Sequence, residues 1–183
     1  MTFDAPPFSH PVRVTELAGR KPTRFDIAPD AGARARIAAA LDILSVEMAR
    51  LQGELRPAGR HDWTLDARLT ATVTQACIVT LAPVTIEIDE AVVRRFLSDM
   101  PEPEGDEVEM PEDDSLEPLP ETIDLGAILV EALALALPAY PRADGAKLGT
   151  MTAAAPGAEP LDDDAIKPFA GLADLMKKAD RDE

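Results

Sequence analysis

From Trp63 to Thr74, twelve residues alternate apolar and polar without a break: Trp63, Leu65, Ala67, Leu69, Ala71 and Val73 on one parity, Thr64, Asp66, Arg68, Thr70, Thr72 and Thr74 on the other. Successive side chains of a strand point to opposite faces, so this run predicts one long strand with a buried and a wet face, the habit of antiparallel sheets. Val84, Ile86 and Ile88 alternate likewise with Thr85, Glu87 and Asp89. They predict a partner strand, in a hairpin whose connection carries Cys77 and Pro83. Strands that follow one another, rather than alternating with helices, point to an α+β fold with an antiparallel sheet or a partly closed barrel and two main helices.

Other elements follow from shorter patterns. Val12 with Val14, and Phe25 with Ile27, predict two short strands separated by residues 19–22. Asp30 is placed to cap a helix, and Ile37, Leu41, Leu44, Met48 and Leu51 recur at helical spacing, which predicts one amphipathic helix stopping near Gly53. Its outer face would carry Arg34, Asp42, Glu47 and Arg50. Asp124 is placed to cap a second helix through Leu125, Ile128, Leu129, Leu133 and Leu137, ended by Pro138 and mostly buried.

The charge of −16 is unevenly placed. Residues 1–95 hold twelve basic and twelve acidic side chains, and residues 96–183 hold six and twenty-two. Within the acidic half, residues 99–121 combine eleven carboxylates with five prolines and no basic residue, the composition of a disordered, self-repelling loop. Residues 143–166 read as a flexible linker reaching about 25 Å. Residues 167–183 read as a tail whose short helix would align Phe169, Leu172, Leu175 and Met176, with Lys177 and Lys178 at its negative end. That stripe either packs back on the main α+β domain, residues 1–142, or docks in a partner groove.

The first nine residues lack the basic cluster and apolar core of a secretory signal, and no run reaches the ~20 apolar residues of a membrane span. One cysteine, Cys77, forms no internal disulfide. A cytoplasmic protein is expected. Neither membrane nor DNA is expected as a partner, because an acidic half repels phosphate and attracts basic surfaces.

Enzymatic motifs are missing from the sequence: it has no phosphate loop, no HExxH and no CxxC. A catalytic set would have to join Cys77 to His61 and Asp62. The carboxylates of residues 99–121 suit a divalent cation but lack the spacing and turn glycine of an EF-hand, so a solvated spacer or a mimic of a basic partner's ligand leads. Arg34, Arg50, Arg56, Arg60 and Arg68 are candidates for phosphate contact. Glu131, the charge inside the second helix, lies either on an exposed stripe or against Arg94 or Arg95. The expectation is a binding protein without enzymatic activity and without a cofactor.

Three segments carry a resemblance: residues 72–83, Thr-Val-Thr-Gln-Ala-Cys-Ile-Val-Thr-Leu-Ala-Pro; residues 122–138, Thr-Ile-Asp-Leu through Glu131 to Leu-Ala-Leu-Pro; and residues 168–175, Pro-Phe-Ala-Gly-Leu-Ala-Asp-Leu. In this order they resemble the bacterial YceD family of large ribosomal RNA subunit accumulation proteins, from about Val12 to Lys178. The family pattern has Cys-x-x-Cys where this chain has Cys77 and Thr80, and further cysteines where residues 139–149 have none. One sulfur cannot make a tetrahedral zinc site, so no metal is expected. The resemblance implies a role in synthesis, processing or stability of 23S rRNA, with the pre-50S particle, a ribosomal protein or 23S rRNA as partner. Asp124, Glu131, Phe169, Leu172 and Leu175 are the candidate partner contacts. The alternative is an acidic adaptor or chaperone for a basic protein outside ribosome assembly.

Overall fold

A computed structural model of the chain describes residues 6–19, 21–100, 115–147 and 149. In chain order the elements are β1 (Pro11–Arg13), β2 (Thr23–Ile27), α1 (Ala31–Ala40), β3 (Ser45–Ala58), β4 (Asp62–Ala76), β5 (Pro83–Leu97), β6 (Leu116–Pro118), β7 (Thr122–Asp124) and α2 (Leu125–Ala136). Five strands form an open sheet in the order β2-β3-β4-β5-β6, and β1 pairs with β7 apart from it. Neighbours from β2 to β5 are antiparallel, whereas β6 lies parallel to β5. The fold is α+β, and these elements belong to the compact unit Met1–Asp144.

The alternation from Trp63 fixes the layers. Leu65, Leu69 and Val73 of β4 and Leu51 and Leu55 of β3 are completely buried, and Ile88, Val92 and Phe96 of β5 are nearly so. Ile37 of α1 and Leu125, Leu129 and Leu133 of α2 close over this face, α1 on β3 and α2 on β4 and β5. Thr64, Asp66, Arg68, Thr70, Thr72 and Thr74 face solvent or lie half-buried on the opposite side. The hairpin of β4 and β5 pairs from Trp63↔Phe96 to Ala76↔Pro83 without a register shift.

The first helix is shorter than its spacing predicts. It ends at Ala40, where the Ile43 N–H donates to Ala38 O at 3.0 Å and the Asp42 N–H to Ala39 O at 3.4 Å. That is the Schellman arrangement, with Asp42 at φ 52° in the left-handed position that glycine usually fills. Beyond it Ser45–Ala58 is a strand: Ala49, Leu51 and Leu55 point inward, and a bulge between Val46 and Met48 shifts the parity. Leu44 and Met48, placed on the apolar stripe of a helix by their spacing, are exposed.

Two other expectations change. Of the acidic stretch, residues 101–114 lie outside the described residues, but Leu116–Pro118 is a strand on β5 rather than loop. Composition counted Glu117 as an unpaired charge, whereas Arg94 meets it at 3.1 Å. The second helix keeps one bare side, with Leu135 76% exposed. Nearly all of the proposed linker and the whole of the tail, residues 150–183, lie outside the described residues.

Candidate functional site

At the start of α2 the chain builds a clamp. The Oδ1 atom of Asp124 accepts from the N–H groups of Gly126 at 2.9 Å and Ala127 at 3.2 Å, capping the helix, and from the N–H of His10 at 2.7 Å. Its Oδ2 accepts the Ser9 hydroxyl at 2.6 Å. Burial opposes the charge, but the Ser9 hydroxyl and the three N–H groups outweigh it and hold the carboxyl below 3.8. A depressed carboxyl stabilises fully above its unfolded value, and that contribution is lost as pH falls through the folded value. Asp124→Asn keeps the cap but loses the charge in its hydrogen bonds, so it should cost about 1 kcal/mol at neutral pH and flatten the acid limb of stability below pH 4, read from thermal melts. An unchanged acid limb would contradict the clamp.

Gly126 completes this junction. A Cβ there would lie 2.7 Å from His10 N and from Ser9 Cα, both backbone. In an open helix Gly→Ala gains about 1 kcal/mol. Gly126→Ala should instead lose about 2 kcal/mol in denaturant titration, because the N-terminal segment has to move.

Arg94 joins three elements. It sits at an inward position of β5 with its side chain 16% exposed, donating to Glu131 of α2 at 2.6 Å and pairing with Glu117 of β6 at 3.1 Å. Glu131 is therefore paired with Arg94 and still half exposed, combining features of both sequence readings. The Nε of Arg94 is buried without a partner among the described residues. Beside this cluster β5 and α2 leave a cleft of about 420 Å³, lined by Glu90, Val92, Arg94, Ala132, Leu135 and Ala136.

At the opposite end of β4 the chain turns tightly around a buried sulfur. The N–H of Cys77 donates to Ala82 O, that of Leu81 to Cys77 O, and that of Ile78 to Pro141 O, which draws in the segment following α2. Cys77 Sγ receives the N–H groups of Val79 at 3.4 Å and Thr80 at 3.5 Å. The Thr80 hydroxyl above all, then the N–H groups of Ala143, Thr80 and Val79, lower the thiol from 9.0 to about 6 against the effect of burial. The cradle thus suits a thiolate, but it offers one. Thr80 brings a hydroxyl where a second sulfur would be needed, and Pro141 and Ala143 bring only backbone, so these residues do not fit a zinc site.

Cys77 is also remote from His61 and Asp62. Those residues stand at the other end of β4, roughly 50 Å away along the strand. Asp62 accepts the N–H and hydroxyl of Ser98, both at 2.9 Å, which lower its pKa. The catalytic set that composition allowed is not assembled.

The arginines proposed for phosphate contact are mostly engaged by carboxylates. Arg50 pairs with Asp26 and Arg68 with Asp89, each through two hydrogen bonds. Arg56 meets Asp66 at 2.7 Å and Glu54 at 3.3 Å. Arg34 donates to Pro29 O at 3.0 Å, and Arg60 stands exposed in the turn after Gly59. Exposed pairs of this kind contribute little to stability. The face they make is nevertheless charge-balanced rather than basic. Phe169, Leu172 and Leu175 lie outside the described residues.

A family model described as large ribosomal RNA subunit accumulation protein YceD matches residues 65–176. The chain belongs to the YceD family. Neither the comparison with curated proteins nor that with solved structures gave a match. In this YceD-family chain, two of the segments that carried the resemblance have clear structural work. Residues 72–83 form the sulfur-centred turn, and Ile123-Asp124-Leu125-Gly126 forms the clamp, its two apolar members almost completely buried. Sequence reasoning did not find the Arg94–Glu117 contact. The signal was that Glu90 and Arg94 continue the inward parity of Ile86 and Ile88, so β5 extends eight residues past Asp89.

Proposed function

We propose that this YceD-family chain is a non-catalytic, cytoplasmic factor in large ribosomal subunit biogenesis that supports synthesis, processing or stability of 23S rRNA by binding a basic protein of the pre-50S particle. The family match, whose description is accumulation of the large ribosomal RNA subunit, carries this reading. Charge favours a protein partner over RNA: twenty-two acidic residues against six basic ones follow residue 95, and Arg50, Arg56 and Arg68 already face carboxylates. The acidic residues 99–121 would shield the basic partner, and Phe169, Leu172 and Leu175 would engage it as a helix.

Silencing the gene should lower 23S rRNA relative to the small-subunit RNA, and in-cell cross-linking should recover ribosomal proteins. Recovery of neither pre-ribosomal RNA nor ribosomal protein would sink the proposal. Cys77→Ser should restore 23S rRNA as fully as the unmodified chain. Loss of function in that variant would favour chemistry at the sulfur. The acidity alone also favours an adaptor or chaperone for a basic protein outside ribosome assembly. Deleting residues 101–114 discriminates, since it should abolish chaperoning and spare docking on the particle.

A further inference from the structure

Among the described residues, the outer edge of β5 is open over most of its length. On one side β4 pairs with it from Pro83 to Phe96, whereas on the other β6 reaches only Arg95, Phe96 and Leu97. The N–H of Arg95 donates to Ser115 O and the carbonyl of Leu97 accepts from the Leu119 N–H, both at 2.8 Å. Odd-numbered residues of β5 therefore turn their backbone groups outward. With no register shift in between, Thr85, Glu87, Asp89, Ala91 and Val93 do the same. Among the described residues no strand pairs with them. This stretch is about 30 Å long, and natural sheets seldom leave such an edge unguarded.

Two features beside the edge say what fits it. The cleft against α2 has an apolar wall of Ala132, Leu135 and Ala136, open to a side chain arriving beside Val92. The charges are acidic: Arg68 is closed on Asp89 and Arg94 on Glu117 and Glu131, while exposed Glu87 and Glu90 have no ion pair among the described residues. A second copy aligned antiparallel on this edge would bring glutamates of the two chains together, which is unfavourable. RNA would meet carboxylates.

We propose that the β5 edge from Thr85 to Val93 accepts an extended basic segment of a partner protein as an added strand. An apolar side chain of that segment enters the cleft over Ala132 and Leu135, beside Glu90, and on the opposite face of the sheet its lysines or arginines meet Glu87. The proposal rests on the reading of the chain as a binder of basic protein and names the surface and the form of the partner.

The test is amide hydrogen exchange of the full chain with a ten-residue peptide alternating lysine and valine. New protection is expected at the N–H groups of Glu87, Asp89, Ala91 and Val93. The Glu87→Lys variant, changed only on the exposed face, should bind at least about tenfold more weakly. Ala91→Pro removes an outward N–H and no bond to β4, so the sheet survives and binding should be lost. Equal binding of a glutamate–valine peptide, protection elsewhere, or no protection at millimolar peptide would overturn the proposal. Protection of these amides before peptide is added would also overturn it, by assigning the edge to a second copy or to this chain's own segments. Peptide binding without association with ribosomal precursors would leave the edge standing and remove the ribosomal reading instead.

Discussion

Replacing Gly53 by alanine should destabilise the protein by about 3 kcal/mol or more, although glycine to alanine inside a strand ordinarily gains about 0.5–1 kcal/mol. Gly53 of β3 lies opposite Ala67 of β4, at an inward position in the middle of the sheet. A Cβ built there would lie 2.3 Å from Asp66 O and 2.6 Å from both Cα and Cβ of Ala67. None of these atoms is the end of a flexible chain. The two central strands would have to part, and β3 also holds β2 and α1. Urea titration followed by far-ultraviolet circular dichroism gives the answer, and a midpoint equal to or above that of the unmodified protein would contradict the packing described.

Leu129→Ala should cost about 2–5 kcal/mol, the range for a leucine removed from a tight core. Leu125, Leu129 and Leu133 stand one turn apart on α2, all completely buried against the sheet. Against a total stability of about 5–15 kcal/mol, such a loss would unfold a sizeable fraction of molecules at 37 °C. Leu135→Ala on the same helix is the control: this leucine is bare, and the change should stay within about 0.5 kcal/mol. Similar effects for the two substitutions would mean that α2 does not pack as described.

The long alternation from Trp63 was legible because a period of two over twelve residues has one physical reading, and it predicted the central hairpin and the buried face of the sheet. Asp124 was legible because a capping carboxylate ahead of an apolar run satisfies orphan N–H groups whatever the rest of the fold does. The first helix was misread past Ala40 because Asp42 takes a conformation usually filled by glycine, and because Leu44, Met48 and Leu51 continue the helical spacing of Ile37 and Leu41 although the first two are exposed. The alternation of Ala49, Leu51, Gly53 and Leu55 carried the correct reading, with glycine in place of a fourth apolar side chain. The Arg94 cluster was half legible: Glu131 against Arg94 was one of two readings, but Glu117 joins them only when β6 is laid on β5 and the sheet is built. The clamp at Asp124 was half legible: the cap was visible, but not its hold on Ser9 and His10, more than a hundred residues away.

These structural results bear on function by showing what each part is free to do. Asp124 and Gly126 are committed to holding the N-terminal segment, Cys77 to shaping a turn, and Arg50, Arg56 and Arg68 to neighbouring carboxylates. Among the described residues, the edge of β5 from Thr85 to Val93, its cleft, and Glu87 and Glu90 remain without a strand or ion-pair partner. The proposed role is that of a protein-binding factor acting on the maturing large subunit. Its most direct test is sedimentation of lysate from cells carrying the tagged full chain. The account predicts that the chain migrates with large-subunit precursors and is absent from mature particles; a chain that stays at the top of the gradient while those precursors accumulate normally would contradict it.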